Sequence, residues 1–204
     1  DTLSLHDALP IWQLVGTDWL HRGPEMGETE NFKRVTFFGL KGGVGRSTAL
    51  AMLGLHLAEL GKKVLVIDLD LESPGIGSLL LNGNALSQYG VVDWFVEDAV
   101  GKADSQLLTS MVVNGVEGIR VAPAFGTDTG GYLYKLSRSY LDGQSPTFET
   151  FTQRLRRMVE SLEAQESPDF VLIDSRGGIH DLAAAVVTQM KALSLLFASD
   201  SRQT

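Results

Sequence analysis

Positions 39 to 48 read GLKGGVGRST, and these residue types in this order suit one task, gripping a chain of phosphates. Gly42, Gly43 and Gly45 permit positive φ and let backbone N–H groups approach phosphate oxygens closely, with Val44 set between them. Lys41 and Arg46 bring positive charge. Ser47 and Thr48 follow at once, and a hydroxyl directly after the basic residue can ligate a magnesium ion that bridges phosphates. Asp68, Asp70 and Asp174 each arrive at the end of an apolar run, VLVI at 64–67 for the first two and FVLI at 170–173 for the third. A carboxylate delivered by a hydrophobic strand beside a phosphate loop can hold that metal, commonly through water. The blander readings are a glycine-rich turn that binds nothing and acids that cap loops. Against the pattern G-x-x-x-x-G-K-[ST] the sequence departs twice, with Leu40 at the first glycine position and Arg46 at the lysine position.

These residues need elements to position them. Val35 to Phe38 predicts a strand entering the loop, and Leu50, Leu53, Leu57 and Leu60 follow helical spacing over Ser47 to Leu60, with Gly61 as the stop. Val64 to Ile67 is a continuous β-branched and apolar run of the kind buried in a parallel sheet. A short helix is predicted within Tyr89 to Val100, a strand over Gly118 to Pro123, and a helix over Phe148 to Leu162 with Phe151, Leu155, Met158 and Leu162 on one face. Arg154, Arg156 and Arg157 read as the solvated part of that helix, since no aromatic residues interleave them. Phe170 to Ile173 and Leu193 to Phe197 predict further strands, with a helix from about Asp181 between them. The stretch 125–146 is turn-rich, and its Tyr132, Tyr134 and Lys135 are expected to cover a loop rather than contact a partner. Alternation of strand and helix predicts an α/β fold, a doubly wound and mostly parallel sheet with helices on both faces. Strand ends in such sheets are where ligands bind.

Composition narrows the function. The 204 residues are 44% hydrophobic and 21% charged, which suits a globular domain with its own core. With no cysteine, disulfides, zinc ribbons and thiolate-held clusters are excluded for this stretch. A formal charge of −8 gives no support to nucleic-acid binding, and no apolar run has the length of a membrane span. Residues 1–11, DTLSLHDALPI, resemble the translation of a common sequencing-library adapter and are expected to be foreign, so His6 and Asp7 are not read as a site. Residues 12–33 read as an upstream tail and linker, and 34–204 as the domain.

The segment KGGVGRST resembles the deviant phosphate loop, K-G-G-x-G-K-[ST], of the ParA/MinD family of dimeric ATPases; VLVIDLDLESPG is similar to that family's V-D-x-D-P-Q segment, and DSRGGI to its D-S-P-A-G-I segment. The departures are Arg46 for lysine, Leu71-Glu72 for Pro-Gln, and Arg176 for proline. The resemblance implies a P-loop domain, incomplete at its C-terminus, that binds ATP and Mg2+ on residues 41–48. It implies Ser47, Asp68 and Asp174 about the metal, Asp70 orienting the attacking water, and Lys41 reaching the partner's nucleotide in a homodimer. Slow hydrolysis serving as a dimerisation switch, a protein activator and a cytoplasmic location follow from the same resemblance. Because arginine keeps its charge and can hold phosphate oxygens through two N–H groups, nucleotide binding is expected to survive at Arg46. The rival readings are a nucleotide-binding scaffold with little or no hydrolysis, and a phosphoryl-transfer or amidoligase enzyme, which would need a second substrate pocket. Arg176 has three readings: a transition-state cation, a partner of Asp174, or a partner of Asp181.

Overall fold

The computed structural model describes residues 33–83, 87–127, 131–139, 149–178 and 181–199, and the expectations for residues 1–11 and 12–32 lie outside the described residues. In chain order the elements are β1 (Arg34–Gly39), α1 (Arg46–Glu59), β2 (Val64–Leu69), α2 (Ile76–Leu80), α3 (Val91–Ala99), α4 (Ser105–Met111), β3 (Val113–Asn114), β4 (Arg120–Ala122), α5 (Tyr132–Ser139), α6 (Phe151–Glu166), β5 (Phe170–Ser175), α7 (Asp181–Gln189) and β6 (Leu193–Phe197). The described strands form one sheet in the order β3-β4-β2-β5-β1-β6. All neighbours are parallel except β3 and β4.

Period-two alternation sorts the sheet into two cores. Leu65, Ile67, Leu69, Val171 and Ile173 point to one face, where they meet α3, α4, α6 and α7. Val64, Val66, Val35, Phe37 and Leu172 point to the other, under α1 and α2. Every residue of β2 is buried, which is why its sequence reads as an unbroken apolar run until Asp68. Helix α1 lies close on its face because Gly54 has no side chain: a Cβ there would already touch Leu172 and Ile119 at 3.5 and 3.6 Å. The helix stops at Gly61, φ 74°, whose N–H donates to the Ala58 carbonyl while Lys62 N–H donates to Leu57, as the sequence predicts.

The structure corrects two readings. The turn-rich stretch contains a helix, α5, whose Tyr132 hydroxyl donates to the Leu71 carbonyl and whose Lys135 pairs with Asp93 of α3 at 2.8 Å. Flanking glycines and polar residues hid it. The second correction concerns α6, which Thr150 and Gln153 open with a capping box. Phe151, Leu155, Met158 and Leu162 are buried as expected, but Arg154 is buried with them. Its Nε donates to Asp98 Oδ2 at 2.7 Å, its Nη2 donates to the Phe95 carbonyl, and its guanidinium lies 5.5 Å from the Phe95 ring centroid. Arg157 reaches the other oxygen of Asp98 at 2.8 Å and lies over Trp94. What reads as a charged, solvated face is the joint between α3 and α6.

Arg154→Ala would strand a buried carboxylate that Arg157 only partly compensates, and the loss should be about 3 kcal/mol, the lower end for a broken buried pair. Arg156→Ala should shift stability by under about 0.5 kcal/mol, as surface substitutions do. Urea unfolding of the two variants tests the contrast, and equal midpoints would refute it.

Candidate functional site

Sheet register brings two of the acids together. In the pairing of β2 with β5, Asp68 stands opposite Asp174, and on the far side of β5 Phe37 of β1 stands opposite Asp174 as well. The carboxyl end of β1 runs into the glycine loop beside them. Gly43 and Gly45 take φ 76° and 83°, in the left-handed region where a side chain is strained, and a Cβ at either would meet nothing within 4 Å. Gly45 is also the N-cap of α1, its carbonyl accepting from Ala49 N–H at 2.9 Å. The result is a concave surface of about 280 Å³ lined by Lys41, Gly43, Val44, Gly45, Arg46, Ser47 and Thr48, with the N-terminus of a fourteen-residue helix at its base. Lys41 and Thr48 are exposed at its rim.

The loop is braced from β5. Gly178 N–H donates to the Gly39 carbonyl at 2.9 Å, and a Cβ on Gly177 would sit 3.2 Å from the carbonyl carbon of Lys41, so a larger residue there would push the two loops apart by a few tenths of an ångström. Arg176 pairs with Glu72 in the loop after β2. Of the three readings for Arg176, the pairing with Asp174 is not what forms.

Arg46 departs furthest from expectation. Its side chain is held at the floor of the loop, 8% exposed, between two acids. Its Nε donates to Asp174 Oδ1 at 2.5 Å and its Nη2 to Asp70 Oδ2 at 2.6 Å. The hydroxyl of Ser47 donates to Asp174 Oδ2 at 2.6 Å. Asp70 Oδ1 accepts from Ser73 N–H, and the two oxygens of Asp68 accept from Asp70 N–H and Ile76 N–H. Each of the six carboxylate oxygens is therefore engaged by a donor from the protein itself. Burial, with the neighbouring charge of Asp174, lifts Asp68 well above the usual carboxylate range. Burial also raises Asp174, against the pull of Arg46 and Ser47, while Arg46 is held charged by its two carboxylates against its own burial.

The fit to magnesium can be judged from this donor set. Ser47 and Asp174 lie side by side, as a magnesium site requires. The guanidinium already shares Asp174, however, and like charges about 4 Å apart repel by roughly 4 kcal/mol per pair of unit charges at an effective dielectric near 20. As arranged, the acids accommodate an arginine in place of a dication. The sequence brings Lys41, Gly42, Gly43, Val44, Gly45, Ser47 and Thr48 to one loop and Asp68, Asp70 and Asp174 beneath it, as expected, while the inward turn of Arg46 was missed. A clue lay in the charge pattern, since a D-x-D pair and a third strand-end aspartate need a cation. A second cavity of about 450 Å³, bounded by Asp68, Pro74, Leu81, Pro123 and Phe125, adjoins the loop after β2, and no motif in the residues announces it.

Comparison with known proteins agrees with this architecture. A family profile described as an AAA domain matches residues 32–117. The chain is 29% identical over 137 residues to the sporulation initiation inhibitor protein Soj of Bacillus subtilis (strain 168), a match covering 66% of this chain and 46% of Soj. The chain thus spans less than half the length of that curated relative. Among solved structures, a ParA family ATPase from Chlorobium tepidum TLS superposes with a TM-score of 0.53 at 20% identity, covering 77% of this chain and 57% of that one. The MinC:MinD cell division protein complex of Aquifex aeolicus gives 0.52 at 23% identity, covering 79% and 55%. The kinase domain of the Escherichia coli tyrosine kinase ETK gives 0.56 at 24% identity, covering 85% and 57%. Among the described residues no helix is long and apolar enough to cross a membrane.

Arg46→Ala would leave Asp70 and Asp174 facing one another without a counter-ion, at a loss of about 3–5 kcal/mol. Adding Asp70→Asn should restore part of that stability by removing one of the two charges. Thermal unfolding of the single and double variants checks this; a double variant less stable than Arg46→Ala alone would contradict it.

Proposed function

We propose, on the footing that this chain is a member of the ParA/MinD family of P-loop ATPases, that it binds ATP on residues 41–48 and uses it as a dimerisation switch with slow hydrolysis. One observation carries the reading: an open glycine loop, left-handed at Gly43 and Gly45, feeds the N-terminus of α1 directly above three strand-end aspartates. Backbone N–H groups of the loop and the helix dipole would take the phosphate oxygens. Lys41, at the exposed rim, would meet the nucleotide of a second copy. Asp70 would orient the attacking water, and Asp174 with Ser47 would complete the floor beneath the phosphates. Magnesium is the family's expected companion to ATP, with Ser47, Asp68 and Asp174 about it, but a donor set already shared with the Arg46 guanidinium does not fit it.

The scaffold reading, binding with little turnover, gains from a specific contact. Asp70 Oδ2 is tied to Arg46 at 2.6 Å, which occupies an oxygen that would otherwise hold a water. The two readings share the same ligand and differ in rate.

Titration of the 204-residue chain with a fluorescent ATP analogue, followed by phosphate release and light scattering, separates them. ATP-dependent doubling of mass, lost in Lys41→Ala, and slow phosphate release abolished in Asp70→Ala are the expected results. Binding with no release supports the scaffold. Absence of binding refutes both.

A further inference from the structure

We infer that the nucleotide site operates without a divalent cation, the Arg46 guanidinium supplying in place the positive charge that a metal would bring. The inference rests on the nucleotide reading above for its ligand, but its geometry stands apart from it. Arg46 is fixed at two points, Asp174 at 2.5 Å and Asp70 at 2.6 Å, in the two-armed geometry that guanidinium offers and ammonium does not. Asp174, wholly buried, has its second oxygen on Ser47, the one hydroxyl placed to ligate a metal under the phosphates. The third acid, Asp68, is committed to two backbone N–H groups. A dication entering this cluster would have to break the arginine contacts, take Ser47 from Asp174, and then sit beside the displaced guanidinium in a buried place. Among the described residues no other group of three or more acids or histidines offers a metal an alternative seat. A lysine at position 46 could not hold both carboxylates in this way, because a single compact ammonium lacks the planar fork.

The substitution therefore exchanges a removable charge for a permanent one. The site would bind the free nucleoside triphosphate as readily as its magnesium complex, and cellular changes in free magnesium would leave its occupancy unaltered.

Two measurements on the intact chain decide this. In the first, binding of the fluorescent ATP analogue is compared in magnesium and in EDTA. Affinities within about 2-fold of each other are expected, whereas loss of about 10-fold or more on chelation, the behaviour of a metal-bridged site, would overturn the inference. In the second, Mn2+ alone is followed by electron paramagnetic resonance with no nucleotide present. The wild-type chain should leave the spectrum of the free ion unchanged, and Arg46→Met should retain one ion; a wild-type chain that itself retains Mn2+ would overturn the inference. Should Arg46→Met not fold, Arg46→Lys serves in its place, with magnesium dependence expected to appear. If no nucleotide binds under either condition, the functional proposal fails while the Mn2+ titration still settles the charge of the site.

Discussion

The contact on which the rest of the site depends is the grip of Arg46 on Asp70 and Asp174. Parallel pairing of β2 and β5 fixes Asp68 opposite Asp174, and burial of both strands on both faces removes water from around them. Carboxylates so placed are expensive unless a cation and hydrogen bonds satisfy them. Helix α1 supplies that cation from its first turn, which fixes the helix against the sheet and sets the glycine loop above the strand ends. Loop, helix and acids are thus one electrostatic unit.

The same device recurs away from the site. Arg34 at the start of β1 grips both oxygens of Glu163 on α6 at 2.7 and 2.6 Å and donates to the Met190 carbonyl beyond α7. Arg154 joins α6 to α3 through Asp98 and Phe95. In a chain without cysteine, these three partly or wholly buried arginines tie sheet to helix and helix to helix at points where apolar contact alone would not set orientation. Each guanidinium has at least two partners from distant parts of the sequence.

Much of this was legible in the residues. The strands 64–69 and 170–175 announced themselves by apolar runs too continuous for an exposed surface, 193–197 by an apolar run that the fold leaves largely exposed, and α1 by leucine spacing and its Gly61 stop. The phosphate loop was readable because only glycine serves at Gly43 and Gly45. What resisted reading was decided by partners far off in sequence. Arginine spacing on α6 cannot say that Asp98 waits on α3, and Arg46 names its charge but not the direction its side chain takes. Helix α5 escaped because its few apolar residues bury little; Leu133 and Tyr134 remain exposed. Helix α2, five residues long, is too short for periodicity to register. The family resemblance pointed to the right fold and to the three acids, but a lysine-based pattern carries no sign that an arginine at position 46 would pair with two of them.

The brace between the loop after β5 and the phosphate loop has a mechanical meaning. Gly177 rests against the backbone of Lys41, and Gly178 is hydrogen-bonded to Gly39, so the two loops cannot slide past each other without losing both contacts. Arg176, the residue immediately before this joint, is tethered to Glu72 in the loop after β2. The loop after β5 thus links the loop after β2 to the phosphate loop by contacts that do not pass through helix α1.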